Sequence, residues 1–156
     1  MAFQLYKPAG TSTAQTETYI ATTTINIGDV VKLVAGASGV GKGKVTAIKG
    51  GANNPDECYG VAVSAATSSG TDEIQVIPIR PDQIWLADAA ANTNATAIAV
   101  RTTYIDTSMK VAVGGTISAK GNTVIVVGVM GATGDKKYLV KFTPSTILGG
   151  GAVFAS

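Results

Sequence analysis

Residues 74–88 read IQVIPIRPDQIWLAD, and no other stretch narrows the possible folds as tightly. Ile74, Gln75, Val76 and Ile77 make a run rich in β-branched side chains, which suits a pleated, half-buried strand. Pro78 has no amide proton, so this strand lies at a sheet edge or ends there. Pro81 fixes the exit, and Ile84, Trp85 and Leu86 follow as an apolar wedge. Trp85 is the one tryptophan of the chain. Buried, it carries a large apolar area and one N–H that needs a partner. The stretch is expected to be a core strand running into an anchored loop, with the other elements packed around it.

The remaining apolar runs are short and separated by Gly, Asn or Pro. Val30 to Val34 follows a turn at Gly28-Asp29, with Val31 and Leu33 on one face and Lys32 on the other. Lys44 to Lys49 is a second strand closed by Gly50-Gly51, and Tyr59 to Ala65 a third, interrupted by Gly60. Ala87 to Thr96 reads as a loop with a turn of helix. Ala97 to Ile105 is a strand. Gly114-Gly115 suits a hairpin turn between 110–113 and 116–119. Val124 to Met130 is apolar on both faces and reads as a central strand. Tyr138, Val140 and Phe142 alternate with Leu139 and Lys141, giving one core face that Pro144 ends. Helical periodicity is nearly absent. The pattern predicts an all-β chain: a small β-barrel, β-tulip or sandwich of short antiparallel strands with at most one or two helical turns. A single β body over 25–148 is expected, with a Thr-rich extended arm (1–24) before it and a Gly-rich tail (149–156) after it.

Composition narrows the chemistry. Charged residues make up only 14% of the 156, and apolar ones 46%. About a quarter charged is usual for a soluble domain, so this surface suits burial against partners, or the neutral polar skin of a virion protein. The net charge of +2 gives no long-range field for nucleic acid. The absence of histidine removes the commonest general base and transition-metal ligand. With one cysteine, Cys58, no intramolecular disulfide and no ordinary zinc site can form. Cys58 reads as a small buried residue. No stretch reaches the roughly 18 apolar residues of a membrane helix. Residues 1–7 lack a basic start followed by an apolar run, so synthesis and use in a cytoplasm, or on a particle assembled there, is expected.

One motif is refused. Residues 36–43, GASGVGKG, fall one residue short of a phosphate loop. Gly43 stands where a Ser or Thr should reach Mg²⁺, and residues 44–49 read as a strand rather than the helix that receives phosphates. Lys32, Lys42, Lys44 and Lys49 read as solvated loop lysines. Asp82 and Asp88, either side of Trp85, read as turn caps or solvated acids. No catalytic residue, cofactor, metal or small-molecule substrate is assigned.

Taken in order, GDVVKL (28–33), YGVAVSAA (59–66), IQVIPIRPDQIWLADA (74–89) and NTVIVVGVMGATGDKKYLVKFTPS (122–145) resemble the small capsid decoration, or cement, proteins of tailed bacteriophages. The resemblance implies a β-barrel or β-tulip subunit, commonly a homotrimer, on the outer surface of the capsid. There it would clamp neighbouring subunits of the major capsid protein, without nucleic-acid or membrane contacts. The residues expected to touch partners are Tyr6, Pro8 and Tyr19 in the arm, and Arg80, Ile84, Trp85 and Leu86 in the organising stretch. For Trp85 ordinary core is the alternative. The other reading of the whole chain is a small β-rich binding module for carbohydrate or a host surface, as part of a fibre or tail.

Overall fold

The computed structural model describes residues 2–7, 15–34, 43–51, 57–67, 70–91, 103–113, 124–130, 136–144 and 146–147. All regular structure among them is β. Five strands close a barrel in the order β2 (Glu17–Ala21), β4 (Lys44–Ala47), β3 (Val30–Leu33), β5 (Gly60–Ala62) and β6 (Glu73–Pro78), with β6 returning to β2. The β2–β4 pair is parallel and the others antiparallel. The expected all-β barrel of short antiparallel strands is present, with one parallel seam. A four-stranded antiparallel sheet runs β1 (Phe3–Lys7), β7 (Ile84–Asp88), β11 (Lys137–Phe142), β10 (Val124–Met130). A hairpin of β8 (Thr103–Ile105) and β9 (Val111–Val113) completes the set.

The period-two alternation of each strand sorts its side chains between two cores. Ala21, Val31, Val45, Ala62, Ile74 and Val76 fill the barrel. Val30, Ile48, Val61 and Ile79 belong to a second, larger core. They share it with Phe3, Trp85, Tyr138, Val140, Phe142, Val124 and Val126 of the sheet. Residues one step apart in β3, Val30 and Val31, are both fully buried, one in each core. The barrel wall is therefore covered on this side by the sheet. Close strand approach in the barrel requires glycine at position 60. A Cβ there would stand 2.2 Å from Val76 Cγ1 and 2.8 Å from the Ile77 carbonyl oxygen.

The stretch 74–88 links the two layers. Pro78 is the last residue of β6, as its missing amide proton requires. Residues 79–83 then turn. Gln83, nearly fully buried, holds the turn from inside: its Oε1 accepts from the Arg80 amide at 2.6 Å, and its Nε2 donates to the Pro78 carbonyl at 3.2 Å. Residues 84–88 are a strand, not the anchored loop expected. The alternation of half-buried Ile84, Leu86 and Asp88 with buried Trp85 and Ala87 is what a strand between two others produces.

Further expectations are corrected by pairing. Within the expected arm, residues 3–7 and 17–21 are strands of the sheet and the barrel. Phe3 pairs with Ala87, is 1% exposed and donates its amide to the Gly28 carbonyl at 3.0 Å. The Thr-rich composition that reads as loose is also β-branched, and the register with β6 takes it up as strand. Val124 to Met130 is a strand, but it lies at an edge of the described sheet rather than its centre. β9 takes β8 as its partner; residues 114–123, the remainder of the expected hairpin, lie outside the described residues. So do Pro8, residues 35–42, residues 92–102 and the Gly-rich tail.

Other readings agree with the structure. Cys58 is fully buried. Tyr138, Val140 and Phe142 make one buried face of β11. Gly28 takes φ 92°, and Asp29 Oδ2 accepts from the Asn26 amide at 2.9 Å, closing the expected turn. Residues 44–47 form strand β4, so no helix follows the phosphate-loop look-alike.

Trp85 is fully buried between the layers, 6.2 Å and edge-on to Phe142, which lies 5.6 Å from Phe3. Trp85→Ala is expected to cost about 3–5 kcal/mol in urea unfolding, whereas Leu86→Ala on the opposite face of β7 costs markedly less. Equal losses at the two positions would contradict this assignment of faces.

Candidate interface surface

Of the seven positions expected at an interface, the structure separates those that point outward from those that do not. Tyr6 in β1 is 44% exposed. Arg80 is exposed in the turn before β7. Ile84 and Leu86 stand half-buried on the face of the sheet that turns away from the barrel. Trp85, between them in sequence, points the other way and belongs to the core. Tyr19 is half-buried at the barrel. Period-two alternation already implies that Trp85 cannot share a face with Ile84 and Leu86 once residues 84–88 are a strand.

The outward sheet face has a composition that single-strand reading does not reveal. Leu86 pairs with Gln4 on one side and Leu139 on the other. Leu139 in turn pairs with Gly128, where an added Cβ would stand 3.3 Å from Leu139 Cδ1, so the leucine packs over the glycine. Ile125, opposite Lys141, and Met130, opposite Lys137, are also half-buried. The result is an apolar band across β7, β11 and β10, with the exposed Gln4 of β1 at its margin. Asp88 and Lys137, opposite one another in the ladder, form an ion pair beside it. Asp88 is thus neither a turn cap nor free in solvent. Partly exposed pairs of this kind contribute little stability, and here the pair cancels the charge at the border of the band. Leu139, Ile125 and Met130 were absent from the expected contact set because their shared face depends on cross-strand register.

The barrel carries a second polar feature that sequence reading missed. The Tyr19 hydroxyl donates to the Tyr59 hydroxyl at 2.6 Å, and Tyr59 donates to Glu17 Oε1 at 2.5 Å. The two rings meet edge-on at 5.4 Å. Both tyrosines pack against the barrel core. Gly43 leaves room for the Tyr19 ring, since a Cβ at 43 would stand 3.3 Å from it. Glu17 and Tyr19 share a face of β2 by alternation, but Tyr59 lies forty residues on (|i−j| = 40), which no local pattern shows. Burial pushes the Tyr59 phenol well above its ordinary value, and the bonds to Glu17 and Tyr19 push it further. The chain of donors ends on a carboxylate, so neither hydroxyl proton is left unpaired. Among the described residues, no group of three or more His, Cys, Asp or Glu side chains is arranged to hold a metal.

No family model matches the chain, and no curated protein matches it. Among solved structures, it is similar to the head fiber gp8.5 N base in bacteriophage phi29, with a TM-score of 0.52 and 9% identity. The likeness covers 87% of this chain and 99% of that one. At this identity it is a likeness of fold.

Tyr59 holds its proton more tightly folded than unfolded. Its contribution to stability is therefore complete below the unfolded phenol value, about 10, and falls as pH rises beyond it. Tyr59→Phe is expected to flatten the loss of stability above that pH, read as the difference between the two urea midpoints across an alkaline series. Parallel curves for the two proteins would contradict the assignment.

Proposed function

We propose that this chain is a structural virion protein of a tailed bacteriophage, seated on the outer surface of the head. There it acts as a decoration subunit that clamps neighbouring copies of the major capsid protein. The observation that carries the reading is the likeness of fold to the phi29 head fiber base, which takes in nearly all of that chain. Two properties of this protein support it. Charged residues are scarce, at 14%, and a surface poor in ions is cheap to desolvate against a shell. The outward sheet face adds an apolar band bordered by a neutralised ion pair, of the kind that marks a contact surface rather than a solvated one. The reading assigns the chain no reaction and no cofactor.

A second reading is favoured by the same neighbour. The body is the base of a head fibre, seated on the capsid but leaving the shell as strong as before. Both readings require binding to heads, and they differ in what binding does.

Purified protein mixed with bare expanded capsids of the parent phage is expected to co-sediment with them, and repeated binding over the lattice tightens the coat. Decorated capsids are then expected to withstand a higher temperature before rupture than bare ones. Co-sedimentation with unchanged rupture temperature selects the fibre-base reading. Protein left in the supernatant with intact capsids overturns both.

A further inference from the structure

The outward face of the sheet is neutral at one end and positive at the other. Register sorts its side chains into three rows. In the first, Asp88 lies opposite Lys137 and Lys137 opposite Met130, so the ion pair leaves no net charge. The middle row sets Leu86 beside Leu139, with Gly128 beyond and Gln4 at the margin. In the last row Lys7 pairs with Ile84, and Lys141 pairs with Ile125. Val140 pairs with Trp85, so the next step of that ladder brings Lys141 alongside Ile84 as well. Two lysines thus stand on the strands either side of Ile84, about 10 Å apart at the usual strand spacing. Neither ammonium group meets a carboxylate among the described residues. The segments outside those residues carry two acids between them, Asp56 and Asp135. Asp135 stands two residues before Lys137 in sequence, and residues 8–14, which continue from Lys7, hold no charge. The turn before β7 adds Arg80 and Asp82, both exposed and opposite in sign. On the four strands three lysines oppose one aspartate, a surplus of two that equals the net charge of the whole chain. The barrel strands are mixed in sign, with Glu17 and Glu73 among Lys32 and Lys44.

We propose that this face seats the protein on the head, and that the shell protein beneath it sets carboxylates opposite Lys7 and Lys141 around an apolar centre. The inference rests on the head-surface reading, and adds to it the side of the subunit that binds and the chemistry of its partner. Charge complementarity selects that partner. A second copy offering the same face would set lysines against lysines and be repelled there. An apolar partner without acids would bury two ammonium groups unpaired, at a large cost in lost hydration. Carboxylates at the rim give both ammonium groups a counter-charge while Ile84, Leu86, Leu139 and Ile125 lose their remaining water. Tyr6, 44% exposed at the irregularity before Lys7, adds an aromatic of the kind enriched in such contacts. The asymmetry also sets how the subunit sits, because the Asp88–Lys137 end needs no counter-charge and the Lys7–Lys141 end does. Rim charges act on the rate of encounter and its dependence on salt, and the buried apolar centre acts on the rate of release.

The test is binding of the purified full chain to bare expanded capsids of the parent phage over a salt series. Lys7→Glu/Lys141→Glu is compared with Lys32→Glu/Lys44→Glu, which changes the net charge equally on barrel strands β3 and β4. Circular dichroism checks that both keep the wild-type fold. At low salt the sheet variant is expected to bind about tenfold more weakly than wild type and to lose the salt dependence, and the barrel variant to stay within about threefold. Leu86→Ala is expected to leave association unchanged and to speed release. A sheet variant that binds like wild type, a barrel variant that loses as much, or unchanged release of Leu86→Ala overturns the seating, while coating by wild type still upholds the head-surface reading. Wild type left in the supernatant overturns that reading and the seating with it. A sheet variant that coats like wild type, but is monomeric by light scattering where wild type is not, assigns the face to a second copy and also overturns the proposal.

Discussion

Trp85 packs edge-on against Phe142 in the seam between the four-stranded sheet and the barrel wall, and the architecture depends on that seam. Each layer leaves large apolar side chains uncovered without the other. The barrel presents Val30, Val61 and Ile79 outward as well as filling its interior, and the sheet has one face of large apolar side chains to cover. Fully burying side chains of this size gains roughly 1.5–3 kcal/mol each, which neither layer collects without the other. The connection through residues 79–83 places β6 in one layer and β7 in the next with only a five-residue turn. The buried Gln83 satisfies the backbone groups that turn would otherwise strand. The seam is not perfectly matched. Among the described residues Trp85 Nε1 meets no hydrogen-bond partner, whereas buried polar groups are ordinarily paired. The apolar packing of the indole outweighs the loss.

Much of this was legible in the sequence where the signal is local. Pro78 ended its strand because of a missing proton. The alternation at Tyr138, Val140 and Phe142 set the core face of β11. Gly28-Asp29 turned where a positive φ and a carboxylate acceptor were both available. The misreadings have a shared cause. Residues 84–88 look like a wedge after two prolines, and only the strands β1 and β11 on either side make them a strand. Thr-rich residues before position 24 lack periodicity because they join two different sheets, at Phe3–Lys7 and at Glu17–Ala21. Val124 to Met130 is apolar on both faces. Burial on both faces and a place at the edge of a sheet can carry the same composition, so composition cannot separate them.

The outward apolar face of the sheet was legible in part. Ile84 and Leu86 were found because they flank a tryptophan, and they do face outward. Leu139, Ile125 and Met130, which complete their face, come from strands some forty to fifty residues later, and register alone brings them alongside. The Tyr19–Tyr59–Glu17 chain has the same character, joining β2 to the start of β5. A fold shared at 9% identity fits this picture. Cores tolerate extensive hydrophobic replacement when total volume and patterning are kept.

Barrel and sheet form a single cooperative unit through their common core. Native-state hydrogen exchange measures this directly, because amides that open only with the whole molecule report the global unfolding free energy. Amides of Trp85 and Val140 in the sheet and of Val31 and Val76 in the barrel are expected to exchange with one common free energy, and to respond together as denaturant is added. Sheet amides that open at a markedly lower free energy, while barrel amides remain protected, would contradict it.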